Sequence, residues 1–121
     1  MAAERGIADG DVVSIYNERG TVLGGAYVTE RLMPGVIYVD HGAKLDPILL
    51  GEIDRGGAIN TIVPSNTTST NAVGHVVSGF LAEAEKTDVE ALKKKYPEAF
   101  AKPFNATAGP GIEAVMAGGD K

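Results

Sequence analysis

Short apolar runs that glycine or proline repeatedly interrupts most restrict the fold of this chain. Its 121 residues include 16 Gly and 6 Pro, so turns are frequent. Residues 12–16 form a β-branched and aromatic run, residues 17–20 form a short turn, and residues 21–29 resume the strand pattern. After a Pro-Gly turn, residues 36–39 predict a third strand. The first forty residues therefore predict a compact antiparallel β-meander.

The strand pattern weakens after residue 40. Residues 40–60 are rich in Gly and Asp with little periodicity, which predicts a long irregular loop of the kind that carries function. Residues 59–63 predict a short strand, and residues 76–84 predict the last strand. Gly24 and Gly25, inside the second predicted strand, favour a β-bulge or a close approach of another backbone segment.

A helical pattern begins after Lys86. Thr87 is the predicted N-cap and Glu90 follows three residues later, which together predict a capping box. Pro97 interrupts the pattern, so we expect one short helix that can restart there. Residues 101–121 predict a draped or disordered tail. The predicted apolar face of the helix comprises Val89, Leu92, Tyr96 and Phe100.

Composition and charge exclude several function classes. The chain has no Cys, which removes disulfides, thiolate metal sites and Cys nucleophiles. A net charge of −5 without a basic run makes it a poor nucleic-acid binder. It contains no apolar run near the roughly 20 residues of a membrane helix, so no membrane insertion is expected. With no leader pattern at its start, a cytoplasmic protein is expected, or a periplasmic one if a leader lies upstream.

Few residues predict chemistry of their own. The sequence carries no phosphate-binding, dinucleotide-binding, zinc-protease or nucleophile-elbow motif. His41 and His75, with Asp40 or Asp46, are candidate metal ligands, but each His is more simply a hydrogen-bonding loop residue. We therefore predict neither a catalytic residue nor a protein metal ligand.

The stretch from residue 60 to 75 is the most informative candidate binding segment. It supplies amide, hydroxyl and backbone donors without net charge, which suits a purine edge, a ribose or a phosphate. The alternative is an ordinary solvated Ser/Thr/Asn loop, and composition leaves both interpretations open.

Five groups of residues, in order, carry a family resemblance. They are residues 5–13 with 16–26 and 34–36, residues 41–47, residues 57–62, residues 68–74 and residues 78–86. Together they resemble the C-terminal cofactor-binding domain of molybdopterin oxidoreductases of the dimethyl sulfoxide reductase family. These segments are similar to those of pyrogallol hydroxytransferase-like and trimethylamine N-oxide reductase-like members. The resemblance covers roughly residues 4 to 86.

The resemblance implies a mainly β fold, a double-psi β-barrel of the aspartate-decarboxylase type, with one C-terminal helix. Residues 1–86 would form the barrel domain, and residues 87–121 the helix and a flexible tail. The implied cofactor is molybdopterin guanine dinucleotide, with molybdenum or tungsten, bound together with upstream domains. Carried over by motif, the cofactor-binding residues would be Asn60, Thr61, Ser69, Thr70, Asn71, Gly74, His75, His41 and Asp46.

The chain departs from the family pattern in two ways, and these departures indicate which partners to expect. The strand with which the family domain begins is not matched, and the segment after Lys86 is longer than the usual ending. We therefore expect an excised piece, a truncated gene product or a separate small subunit, inactive alone. Expected partners are the remainder of a molybdopterin catalytic subunit, an iron–sulfur subunit, and a second copy joined through an exposed strand edge.

A protein-interaction module remains as a second functional interpretation. It would be a non-catalytic β-barrel that binds protein and no cofactor. Its association would be driven by the face around Tyr16, Tyr27 and Tyr38.

Overall fold

Seven short strands and two short helices lie in the part of the chain that the structure describes. The computed structural model describes residues 1–40, 42–65, 67–75 and 79–102, with the backbone alone for residues 67, 68 and 72–75. The strands are β1 (Val12–Asn17), β2 (Gly20–Gly25), β3 (Pro47–Leu49), β4 (Ile53–Asp54), β5 (Thr67–Ser69), β6 (Ala72–His75) and β7 (Glu83–Lys86). The helices are α1 (Val89–Lys95) and α2 (Pro97–Ala101), and 3₁₀ turns lie at Ala3–Arg5 and Ile59–Thr61.

Five strands form one sheet in the order β3-β4-β2-β1-β7. The β1–β2 hairpin has a two-residue turn, since Asn17 pairs with Gly20. Strand β7 pairs antiparallel with the other edge of β1, and β4 pairs parallel with β2. Strands β5 and β6 form a separate antiparallel hairpin. The predicted mainly β fold with a C-terminal helical segment is confirmed.

The core lies on one face of the central hairpin. Val13, Ile15, Val22 and Ile62 are buried together, and Val22 and Ile62 are each only 1% exposed. Val13 and Ile15 alternate along β1, as expected for a strand with one face on the core. Ser14, between them, turns its hydroxyl to the Thr87 hydroxyl at 2.6 Å. The core is therefore small and joins the hairpin to the segment that follows β4.

The predicted third strand of the meander is wrong. Residues 36–39 form no ladder, and Tyr38 is 71% exposed. A meander would need these residues to pair beside β2, but both edges of β2 are already occupied, by β1 and by β4. The second strand also ends at Gly25 rather than at residue 29.

Three predictions for the middle of the chain are also corrected. The stretch 40–60 contains β3 and β4 instead of being irregular throughout. Residues 59–63 form a 3₁₀ turn instead of a strand, because the Thr61 and Ile62 amides bond to carbonyls three residues earlier. Gly24 and Gly25 mark neither a bulge nor a close approach: the β1–β2 register is unbroken and a Cβ at either position would meet nothing within 4 Å.

The helical segment follows its prediction except at its cap. Asp88, not Thr87, is the N-cap, and its carboxylate accepts a hydrogen bond from the Ala91 amide at 3.1 Å. The Thr87 hydroxyl is engaged by Ser14 instead. The helix restarts at Pro97, the first residue of α2, where a missing amide hydrogen costs nothing.

The end of the chain gives two partial outcomes. The last strand begins at Glu83, later than the predicted residues 76–84, of which residues 76–78 lie outside the described residues. The predicted tail falls mostly on residues 103–121, which also lie outside them.

Candidate functional site

Two of the predicted binding residues, Asn60 and Thr61, lie on the 3₁₀ turn that follows β4. Ile59 and Ile62, three residues apart, face inward from this turn, and Ile62 enters the core. The same geometry turns Asn60 outward, where it is exposed, while Thr61 is half-buried against β2. The turn thus presents one neutral amide side chain to solvent from a buried anchor.

The buried carboxylate of Asp54 holds the start of this turn. Asp54 is 1% exposed, and its two oxygens accept from two different backbone amides. One oxygen accepts from the Asp46 amide at 2.6 Å, and the other from the Ala58 amide at 2.7 Å. Because Ala58 is the residue before the 3₁₀ turn, Asp54 joins the Asp46 loop to the Asn60 turn. Charge-assisted bonds of this kind are stronger than neutral ones.

The β1–β2 turn holds the other end of the 3₁₀ turn. The Asn17 side-chain amide and the Arg19 guanidinium both donate to the Ile62 carbonyl, at 2.9 and 2.7 Å. Arg19 also lies over the Phe80 ring, 5.6 Å from its centroid. The Asn60 turn is therefore fixed at both ends by side chains that sequence reasoning had treated as ordinary turn residues.

Asp46, another predicted binding residue, forms a largely buried ion pair. Its carboxylate accepts from Arg55 Nε at 3.1 Å, and the two side chains are 18% and 8% exposed. The backbones of the same residues are also joined, since the Arg55 amide donates to the Asp46 carbonyl at 3.1 Å. In this arrangement the Asp46 carboxylate fixes the loop before β3.

Two glycines permit the close packing around this site. A Cβ on Gly56 would collide with the Lys44 carbonyl oxygen, so only glycine fits beside the Asp46 loop. A Cβ on Gly20 would lie 2.8 Å from the Thr61 methyl group and 3.0 Å from the Glu52 carbonyl oxygen. The close backbone approach that the sequence suggested at residues 24 and 25 thus occurs at Gly20.

The remaining predicted residues lie on the β5–β6 hairpin or outside the described chain. Ser69, Thr70 and Asn71 form its exposed tip, where the Asn71 amide donates to the Ser69 hydroxyl at 3.2 Å. Gly74 and His75 belong to the backbone of β6. His41 lies outside the described residues.

The described residues therefore bring together only part of the predicted set. Asp46, Asn60 and Thr61 are joined through Asp54, whereas the hairpin residues form a second group. Sequence reasoning missed Asp54, Arg55 and Gly20. A pattern that could have indicated Asp54 is its position directly before Arg55 and two glycines, where a short side chain can reach backbone amides on both sides.

The described polar side chains of the Asn60 turn and of the hairpin tip are neutral amides and hydroxyls. In the part of the chain that the structure describes, no three His, Asp or Glu side chains lie close enough together to bind a metal ion. Two surface depressions lie elsewhere, one lined by residues 10–12 and 86–90 and one by residues 16–18 and 81–83. Neither contains a predicted binding residue. Asn60 itself is exposed at the surface.

A long apolar surface lies on the segment from residue 27 to 38. No residue of this segment belongs to a strand or helix. The most exposed side chains are Tyr27 and Met33 at 73% and Tyr38 at 71%. The Tyr38 hydroxyl donates to Asp40 at 2.7 Å, and that bond raises the pKa of Tyr38 above its usual value. Large exposed apolar side chains concentrated in one segment are typical of a surface that another protein segment covers.

One family of known proteins matches more than half of this chain in sequence. Its sequence model, Molydopterin dinucleotide binding domain, matches residues 1–77. The chain is 42% identical over 88 residues to a dimethyl sulfoxide/trimethylamine N-oxide reductase of Cereibacter sphaeroides, covering 70% of this chain and 11% of that protein. It is 39% identical over 89 residues to a trimethylamine-N-oxide reductase of Haemophilus influenzae, covering 70% and 11%.

A third similar protein is named for a different activity. The chain is 40% identical over 90 residues to the pyrogallol hydroxytransferase large subunit of Pelobacter acidigallici, covering 72% of this chain and 10% of that protein. The chain thus spans about a tenth of the length of the curated relatives it matches.

Proposed function

The chain belongs to the molydopterin dinucleotide binding domain family, and from that membership we propose that it holds the guanine dinucleotide part of a molybdopterin cofactor. The exposed Asn60 turn, fixed at both ends, is the observation that carries the proposal. The cofactor supplies the metal and the redox chemistry when bound. The residues of this chain bind and orient, and the isolated chain is inactive.

The donors of the turn fit a guanine or ribose edge. An Asn side chain donates through its nitrogen and accepts through its oxygen, and guanine offers both acceptors and a donor. Within the described residues the Asn60 side chain makes no hydrogen bond to the protein, so binding a ligand breaks none. Asp54, Asn17 and Arg19 hold the turn in place before a ligand binds. Binding therefore loses less conformational entropy, so the turn is preorganised.

The further members of the proposed site lie on loops flanking this turn. They are Thr61, Asp46 and His41 on one side and Ser69, Thr70, Asn71, Gly74 and His75 on the hairpin. A double-psi β-barrel, formed by residues 1–86, would bring the two groups to one end of the barrel. The parallel pairing of β2 and β4, which are separated along the chain by residues 26–52, supports such a crossed topology.

The proposed partner is the remainder of a molybdenum or tungsten catalytic subunit. The reaction of the whole catalytic subunit would be an oxygen-atom or hydroxyl transfer, by analogy with the activities for which the relatives are named. An iron–sulfur subunit is a further proposed partner. No helix among the described residues is long and apolar enough to cross a bilayer, and a cytoplasmic or periplasmic location stays part of the proposal.

Pairing of two copies through a sheet edge has less support. The outer strand β7 carries Glu83, Glu85 and Lys86, and Arg5 donates to the Ala84 carbonyl at 2.9 Å. Charged side chains on an edge strand oppose strand addition. The opposite edge, β3, is packed by α2.

Amide NMR of the full 121-residue chain with GMP tests the proposal. We expect shifts confined to residues 60–75 and 40–46 at millimolar GMP. Asn60→Ala should weaken the affinity by about fivefold, the equivalent of one net hydrogen bond. Glu30→Ala, at an exposed side chain outside residues 40–46 and 60–75, is the control and should leave the affinity unchanged. A dispersed spectrum that ignores GMP would refute binding by these loops.

The exposed apolar segment 27–38 favours the second candidate, a module that binds protein and no cofactor. Tyr27 and Tyr38 are largely exposed on it, while Tyr16 is half-buried. This candidate predicts that GMP shifts no resonance. It also predicts that Tyr27→Ser with Tyr38→Ser lowers association with a partner protein, whereas Asn60→Ala does not.

A further inference from the structure

Helix α2 lies against the loop that carries Asp46. It packs on β3, the strand that follows Asp46 directly. The ring of Phe100, in α2, lies under the Arg55 guanidinium, with 5.4 Å between Cζ and the ring centroid. Arg55 Nη2 also donates to the Lys102 carbonyl at 3.0 Å, just after the helix ends. One guanidinium therefore contacts both the side chain and the backbone of the C-terminal segment.

The same guanidinium holds Asp46. Arg55 Nε donates to the Asp46 carboxylate at 3.1 Å, and the Arg55 side chain is 8% exposed. Since the guanidinium is planar and rigid, a displacement of its Nη2 and ring contacts also moves its Nε. The position of the Asp46 carboxylate is consequently coupled to α2.

The coupling continues to the Asn60 turn. The Asp46 amide donates to Asp54, and the second oxygen of Asp54 accepts from Ala58, at the start of that turn. A continuous series of contacts therefore runs from the Phe100 ring of α2 through Arg55, Asp46 and Asp54 to the turn. The family match ends at residue 77, before α1 and α2 begin, so the family sequence pattern does not include this contact.

We propose that Arg55 is a positioning residue through which α2 holds the Asp46 loop and the Asn60 turn in their binding arrangement. The nucleotide part of this proposal rests on the proposed function. Arg55 touches no ligand in this role: it acts by keeping Asp46 and Asp54 in place. Loss of the α2 contact should loosen these loops while the β1–β2 hairpin stays intact.

Hydrogen exchange of the full chain measures this coupling without any ligand. Phe100→Leu keeps an apolar side chain but removes the ring, and it should speed exchange of the Asp46, Arg55 and Ala58 amides by about tenfold. Amides of β1 and β2 should keep their rates. Phe100→Tyr, which retains a ring, should restore slow exchange. The control is Lys95→Ala, which removes an exposed cation–π contact with Tyr96 on the same helical segment.

GMP affinity gives the second readout. Phe100→Leu and Arg55→Lys should each weaken binding by about threefold to tenfold, and Lys95→Ala should not. If the wild-type chain binds no GMP, the proposed function is wrong. The hydrogen-exchange rates still test whether α2 is coupled to the Asp46 loop and the Asn60 turn.

Exchange rates decide the coupling itself. Should Phe100→Leu speed all amides equally, α2 would be a general stabiliser and the proposal would be wrong. Unchanged exchange at Asp46, Arg55 and Ala58 would overturn it as well. Arg55→Lys repeats the comparison if Phe100→Leu does not fold.

Discussion

Replacing Asp54 with Asn should strongly destabilise the fold around the candidate site. Asp54 is 1% exposed and accepts from two backbone amides, those of Asp46 and Ala58. Asn offers one oxygen and one NH₂ group in the same volume. One of the two backbone amides must then face another donor in a buried position.

The size of the effect follows from this exchange of groups. A hydrogen bond to a charged group contributes about 1.5–3 kcal/mol, and a buried donor left without an acceptor costs about 1–3 kcal/mol. Removing the buried charge offsets part of this loss. We therefore expect the free energy of unfolding to fall by about 2–4 kcal/mol. In a urea titration followed by circular dichroism, that corresponds to a midpoint lower by about 1–2 M.

A matched substitution separates this loss from the general effect of removing a carboxylate. Asp9 is exposed and accepts from one backbone amide, that of Val28, at 2.8 Å. Asn at position 9 keeps an oxygen for that single bond, so Asp9→Asn should change the free energy of unfolding by less than about 0.5 kcal/mol. If the two variants unfold at the same urea concentration, Asp54 does not hold the two loops together.

Two further perturbations follow from the packing and the charges. Gly20→Ala should lower the free energy of unfolding by about 1–3 kcal/mol, because its Cβ would meet Thr61, whereas Gly24→Ala, in open space within the same strand, should be neutral or slightly stabilising in the same urea titration. The hydrogen bond that the Ala8 amide donates to Asp11 lowers the pKa of Asp11 in the folded protein. The Asp11 carboxylate therefore contributes its full stabilisation above the pKa of an unfolded Asp, about 3.9. That stabilisation is lost as the pH falls through the lower pKa of the folded state. The stability difference between wild type and Asp11→Asn should therefore shrink below about pH 4, and a pH-independent difference would contradict this assignment.

Local sequence patterns predicted the elements whose partners are near in sequence. The β-branched and aromatic run of residues 12–16 and the following turn correctly predicted the β1–β2 hairpin, and Pro97 correctly marked the start of α2. The hairpin and the start of α2 each depend on residues that are close together in the sequence, and local propensity and periodicity are informative over such short distances.

Elements that depend on distant partners were not predictable in this way. Residues 36–39 have strong β propensity but find no free edge beside β2, which pairs with β4 from much later in the chain. Propensity describes how a side chain fits a pleated surface and says nothing of which edges are available. The role of Asp54 likewise depends on amides from two loops that meet only in the folded chain.

The predicted site is partly organised in the structure. Asp46, Asn60 and Thr61 form one connected group, and the residues of the β5–β6 hairpin form another. Neutral polar composition indicated which segments could bind a nucleotide, but it could not indicate that the Asp46 carboxylate would be engaged by Arg55. Only the three-dimensional arrangement can indicate whether a residue such as Asp46 would contact a ligand or would hold a loop in position.

The place of β7 in the sheet also has a consequence for how the chain folds. Strand β1 is an internal strand because its second edge is paired by β7, with Val13 opposite Lys86 and Ser14 opposite Glu85. On a ribosome, β1 and β2 would emerge and form their hairpin long before β7 is synthesised. During that interval one edge of β1 is open, and closing it requires a loop of about seventy residues. Folding should therefore be slow relative to hairpin formation, with its rate limited by the arrival and docking of β7.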